Sequence, residues 1–148
     1  MAFRFALAPL LRLRQSVEHQ RALTLQRAAF EVARAQERLA DLDRFLAESA
    51  QVDTASLVAG RTAAELQFAD RFREQLEILR RQMLEEIQIL ETERSKAAGA
   101  FQQAMREREA LESLRERQRR SYDAERLQRQ QQTLDAAFLM RHWPKQDG

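Results

Sequence analysis

The sequence predicts an all-α protein: two long helices forming an antiparallel coiled-coil hairpin, the C-terminal helix being the longer. Three observations carry this. The 148 residues include only 3 Gly and 2 Pro, too few for the chain reversals of a sandwich, barrel or wound α/β fold. Ala, Leu, Arg, Gln and Glu dominate, and all are strong helix formers. Apolar residues recur at steps of three and four over long stretches, the a/d spacing of a heptad. The expected organisation is a single hairpin over 1–148, with helix one over about 9–50, a bend at 51–61, helix two over about 62–141 and a tail at 142–148.

Helix one opens at Pro9, whose missing N–H costs nothing in a first helical turn. Its stripe runs Leu10, Leu13, Val17, then Leu25, Ala28, Val32, Ala35, Leu39, Leu42 and Leu46. Between Val17 and Leu25 the step is four plus four through Arg21, a stutter that unwinds a supercoil locally. The pattern weakens over Ser49 to Gly60. Asp53, Thr54 and Ser56 compete with helix through side-chain to backbone bonds, and Gly60 can take a positive φ. Thr62 and Glu65 then stand at capping-box spacing and mark the next helix start.

Helix two carries Leu66, Phe72, Leu76, Leu79, Met83, Ile87, Leu90, Ala97, Phe101, Ala104, Leu111 and Leu114. One interior glycine, Gly99, costs about 1 kcal/mol but does not end a helix this long. Beyond Leu114 the stripe thins to Tyr122, Leu127, Leu134, Phe138 and Leu139, and Trp143-Pro144 is expected to stop the helix. At 1.5 Å per residue the arms measure about 60 Å and about 120 Å. Helix one therefore covers helix two only to about Phe101, and residues from about 105 to 140 are left as an overhang. Glu116/Arg120 and Glu125/Arg129 support that overhang with i,i+4 pairs worth about 0.2–0.5 kcal/mol each. A surface left over after the core is satisfied is the natural place for function.

Composition excludes several classes. The absence of cysteine removes disulfides, thiol nucleophiles and Cys-based metal sites, and is compatible with a reducing cytoplasm. No run of 18 apolar residues occurs, so no membrane-spanning segment is expected; Phe5 to Leu11 is too short for a signal-peptide core. His19 and His142 lie at opposite ends of the chain and read as solvated helix residues. No P-loop, metalloprotease or nucleophile-elbow motif is present, and two helices do not enclose the desolvated cleft that a catalytic acid needs. The chain is therefore expected to be no enzyme, with no cofactor, metal or small-molecule ligand. The 25 basic and 23 acidic residues leave a net charge of +2. Arg106 to Arg129 holds eight arginines interleaved with six acids, whereas phosphate binding wants acids kept off the basic face; a solvated helix face or a protein contact is favoured over nucleic acid or lipid headgroups. Phe45, Phe68 and Phe72 cluster near the bend, either as packing or as a docking patch, since aromatics are favoured interface anchors.

Phe3, Phe5, Leu7, Leu10, Leu11 and Arg14 form an F-x-F-x-L-x-x-L-L-x-x-R opening. Gly60 is followed by an aromatic-containing helix start around Phe68, and the Glu-Arg-rich run from Glu107 to Arg117 is followed by Tyr122 and Glu125. In these features and in its unequal arms the whole chain resembles the flagellar FliJ family of the type III export apparatus. The resemblance implies a cytoplasmic protein, peripheral at the inner face of the membrane, similar to the central stalk of rotary ATPases. Its terminal ends would enter and promote the export ATPase hexamer ring, through Leu7, Leu10, Leu11, Arg14, Arg115, Arg119, Tyr122 and Arg126 and the overhang to Phe138. Its bend would face the cytoplasmic region of the export gate protein, with Phe45, Phe72, Leu76 and Met83 as contacts, and export chaperones would be further partners. The alternatives are the equivalent stalk of a virulence-type injectisome and a general coiled-coil adaptor.

Overall fold

The computed structural model describes residues 2–142. Two helices account for nearly all of them: α1, Ala8–Ala59, and α2, Ala63–His142. Trp143-Pro144, the expected helix stop, and the tail that follows lie outside the described residues. No helix among the described residues is long and apolar enough to cross a membrane. The chain divides into two compact units, one made of the residues up to Glu18 with those from Ala104 on, the other of His19–Gln103. Both helices pass through both units, and within each they pack side by side.

In the His19–Gln103 unit the helices run antiparallel. Asp53 bonds Arg73, Asp43 bonds Arg80 and Gln36 bonds Glu91, the number rising on α2 as it falls on α1. Val32, Ala35 and Ile87 are buried between them. These are a/d residues of the predicted stripe, and the two-helix seam buries little else. Full burial of one such aliphatic side chain contributes about 1.5–3 kcal/mol, so the unit depends on length and repetition of the seam. Ion pairs flank it. Arg80 and Asp43 are 2.8 Å apart, and that hydrogen bond, then the charge of Asp43, raises the Arg80 pKa further above its ordinary value.

The reversal is shorter than the expected 51–61 segment, because α1 continues to Ala59. The polar residues that were to break the helix serve it instead. Thr54 donates to the Ala50 carbonyl at 2.9 Å, a back-bond compatible with helix. Asp53 accepts from Arg61 at 2.9 Å and Arg73 at 2.6 Å, beyond the turn. Gly60 takes φ +85°, the only positive φ among the described residues, a conformation that L side chains rarely adopt. The capping box forms as spaced: Glu65 N–H donates to Thr62 Oγ1 at 3.2 Å and Thr62 N–H to the Glu65 carboxylate at 3.4 Å. At its other end α2 carries Arg141 and His142 in the last turn, the favourable charge for a helix C-terminus.

The unit holding the chain ends differs from expectation in two ways. The buried residues are Phe5, Leu11 and Ala104, while Leu13 of the expected stripe is 57% exposed. The seam is displaced because two charged residues turn into it: Arg14 meets Glu107 at 2.5 Å and Glu18 pairs with Arg108. Arg108 also meets Glu112 at 2.6 Å; the Glu18 hydrogen bond leads in raising its pKa. Secondly, α1 reaches further along α2 than Phe101. The nonhelical segment before Ala8 continues the line, buries Phe5 and sets the Phe3 ring 5.6 Å from that of Tyr122. The unpartnered part of α2 therefore begins after Tyr122, not near residue 105. The extra turns of α1 to Ala59 and the extended start at Phe3 make up the difference.

Candidate functional site

Two surfaces remain after the seam is satisfied, one in each unit. In the unit of the chain ends, every residue from 123 to 142 is exposed. The segment stays helical because α2 continues through it without a break, yet nothing described packs along it. Leu127, Leu134, Phe138, Leu139 and Met140 are all more than half exposed. Phe138 stacks on His142 with ring centroids 4.1 Å apart, and the His142 ring nitrogen lies 3.1 Å from the Phe138 carbonyl oxygen. His142 is thus a helix-end residue of this face, consistent with its reading as a solvated side chain.

The predicted ring-facing residues distribute unevenly around this segment. Arg115, Arg119 and Arg126 are exposed on α2. Leu7 and Leu10 stand at the rim, 38% and 37% exposed. Arg14 and Tyr122 are half-buried, engaged with Glu107 and with Phe3. Leu11 is a correction: at 3% exposure it is a core residue of the seam and offers no surface. Its position one step from Leu10 hid this, since the register that buries Leu11 is set by Arg14 and Glu18 facing α2. Phe3 and Phe5 are the residues that sequence reasoning missed as structure; the signal was their alternation just ahead of Pro9.

In the other unit an apolar cavity of about 670 Å³ opens beside the turn, lined by Phe45, Leu46, Val52, Phe68, Phe72 and Leu76, with Asp53, Arg61 and Arg73 among its polar residues. Phe45 meets Phe72 edge-on at 6.4 Å, and Phe68 stacks on Phe72 at 6.4 Å. The three rings are only partly covered, Phe45, Phe68 and Phe72 being 44–72% exposed. Of the predicted gate residues, Phe45, Phe72 and Leu76 are brought together. Met83 is half-buried further along the seam and does not line the cavity. The Asp53–Arg61–Arg73 cluster was not anticipated, because a side chain expected to end the helix gives no cue to partners 8 and 20 residues away.

No group of three or more His, Cys, Asp or Glu that could hold a metal occurs among the described residues. The resolved pKa shifts fall on Arg80 and Arg108, and both move upward, keeping always-charged groups charged. What the surfaces offer is apolar contact beside exchangeable ion pairs, the chemistry of protein association.

Residues 3–147 match the model of a family described as Flagellar FliJ protein. No curated protein and no solved structure matches the chain.

Proposed function

The chain belongs to the flagellar FliJ family, a non-catalytic component of the flagellar export apparatus, and from that premise we propose that it acts as the stalk of the export ATPase. In this reading the 123–142 segment, with Leu7, Leu10, Arg115, Arg119 and Arg126 beside it, enters the ATPase hexamer ring and promotes its assembly and turnover. The protein has no turnover of its own. The aromatic cavity of Phe45, Phe68 and Phe72, with Leu76, contacts the cytoplasmic region of the export gate and links ring to gate at the membrane's inner face. Escort of export chaperones belongs to the same reading. The observation that carries it is the fully exposed run from 123 to 142, an apolar-studded helix left free while the rest of α2 is paired.

The physics favours a transient grip. Exposed ion pairs are worth about 0–1 kcal/mol each, so arginines interleaved with acids let a ring close around the helix and slip past it. An isolated helix is marginal in water, and enclosure by a ring supplies the packing that this segment lacks. The test is ATP hydrolysis by the purified export ATPase with added protein. Turnover should rise with the intact chain and rise less with Leu134→Asp and Phe138→Asp. Unchanged hydrolysis at saturating protein overturns the stalk reading.

A further inference from the structure

Counted in sevens, one seam row of α1 reads Leu11, Glu18, Leu25, Val32, Leu39 and Leu46, and all six are buried or half-buried. Glu18 is its one charged member. Arg14, half-buried at the seam place between Leu11 and Glu18, is charged as well. The row Met83, Leu90, Ala97, Ala104 and Leu111 on α2 is apolar throughout. The cover that α1 gives α2 therefore has a charged break at Arg14 and Glu18, and the chain-start part of the terminal unit ends at Glu18. We propose that residues 2–18 are a releasable strap, which lifts from α2 as one cooperative piece and bares α2 from Ala104 to Tyr122 while pairing in the His19–Gln103 unit persists.

The strap is held differently from the rest of α1. Its buried apolar residues are Phe5 and Leu11, and the residues before Ala8 are outside the helix. The remaining grip is the Phe3 ring on Tyr122 and the pairs Arg14–Glu107 and Glu18–Arg108. A covered ion pair must first offset the desolvation of both charges, whereas a buried aliphatic side chain stabilises outright. Lifting returns Arg14 and Glu18 to water. Arg108 is not stranded by their departure, because Glu112 on its own helix meets it at 2.6 Å. Nor must α2 unfold when the strap leaves, since it continues through 123–142 as helix with no described partner. Sub-global openings of this kind occur where apolar contacts are few. The consequence is a free stretch that grows from 123–142 to 104–142. It then includes Leu111 and Leu114, and Arg115 and Arg119 pass from paired helix to free helix.

Opening is a property of the protein alone and is read without the ATPase, so it stands or fails separately from the stalk reading. Hydrogen exchange of the full chain is the assay. Amides of 11–18 should exchange as a block, about tenfold or more faster than those around Val32, with the step in protection just after Glu18. Glu18→Leu combined with Arg108→Leu completes the apolar row. It should slow exchange in 11–18 toward the level around Val32, because packed aliphatic side chains in place of a covered ion pair are often neutral or stabilising. A second variant leaves the seam charges alone. The chain has no native cysteine, so Phe3→Cys with Tyr122→Cys can be joined by a short bifunctional thiol reagent, and the tether should slow the same amides. Protection in 11–18 equal to that around Val32 overturns the proposal, as does a smooth gradient running from Leu11 through Leu25. So does exchange in 11–18 that neither the double leucine variant nor the tether slows.

Discussion

Asp53→Asn is the sharpest perturbation of the turn. Asparagine keeps the shape and has nearly the same helix propensity, so the change isolates the charge. Asp53 and Arg61 are about three-quarters covered, and their contact is 2.9 Å. A hydrogen bond to a charged group contributes about 1.5–3 kcal/mol, and part of that survives in the amide, leaving a loss of about 1 kcal/mol. Arg73 is 45% exposed, so solvent screening discounts its share to about 0.5 kcal/mol. The total is about 1.5 kcal/mol, or about tenfold in a local opening equilibrium. Hydrogen exchange is the right assay, because opening of the turn is sub-global and a melting curve averages over the whole chain. Amides of residues 51–66 should exchange about tenfold faster, the effect should shrink at 1 M salt where charges are screened within about 3 Å, and amides around Val32 and Ile87 should not respond. Exchange unchanged in 51–66, or an effect independent of salt, refutes the reasoning that Asp53 clamps the turn.

The two described glycines should respond with opposite sign. Neither has any atom within 4 Å of an added Cβ, so backbone alone decides: Gly60→Ala at φ +85° should cost about 1–2 kcal/mol, and Gly99→Ala inside α2 should gain about 1 kcal/mol, both by denaturant titration. Leu11→Ala should cost about 2–5 kcal/mol as a core truncation and release the segment carrying Phe3 and Phe5, seen as a changed Tyr122 fluorescence. Arg108→Gln should lower the melting temperature, and Arg108→Lys should fall between, because an ammonium lacks the fixed planar fork with which Arg108 meets Glu18 through Nε and Glu112 through Nη1. The upward pKa shifts of Arg80 and Arg108 stabilise fully at every pH below the ordinary arginine range and are lost only as pH rises through the still higher folded values. Their contribution should therefore not vary between about pH 6 and about pH 10, well below that range.

Periodicity and turn chemistry were legible because they are local. Thr62 and Glu65 form their capping box, Gly60 takes the positive φ, and Val32, Ala35, Ile87 and Ala104 are buried at the spacing that named them. Phe45, Phe68 and Phe72 gather where their clustering suggested. What stayed hidden depends on partners distant in sequence. The competition of Asp53 with helix is a local tendency, reversed by guanidiniums that the fold itself delivers. The seam displacement near Leu11 follows from Arg14 and Glu18 finding Glu107 and Arg108, and the spacing of apolar residues carries no sign of it. The reach of the chain start to Tyr122 depends on an extended segment that heptad counting ignores.

These differences bear on function. With a reversal only from Gly60 to Thr62, and Phe3 and Phe5 extending the cover, α2 is partnered as far as Tyr122, and its unpartnered remainder among the described residues is 123–142. Arg115 and Arg119 then lie beside paired helix, while Arg126 lies on free helix. A partner that grips all three spans the boundary at Tyr122, and Phe3 sits on that boundary. Under the proposed stalk reading, removing the aromatic ring with Phe3→Ala should therefore weaken ATPase stimulation less than Leu134→Asp does, since the first loosens an edge and the second strikes the free face itself. A variant order in the reverse sense, with Phe3→Ala the more damaging, would move the functional surface from the bare helix to its junction with the chain start.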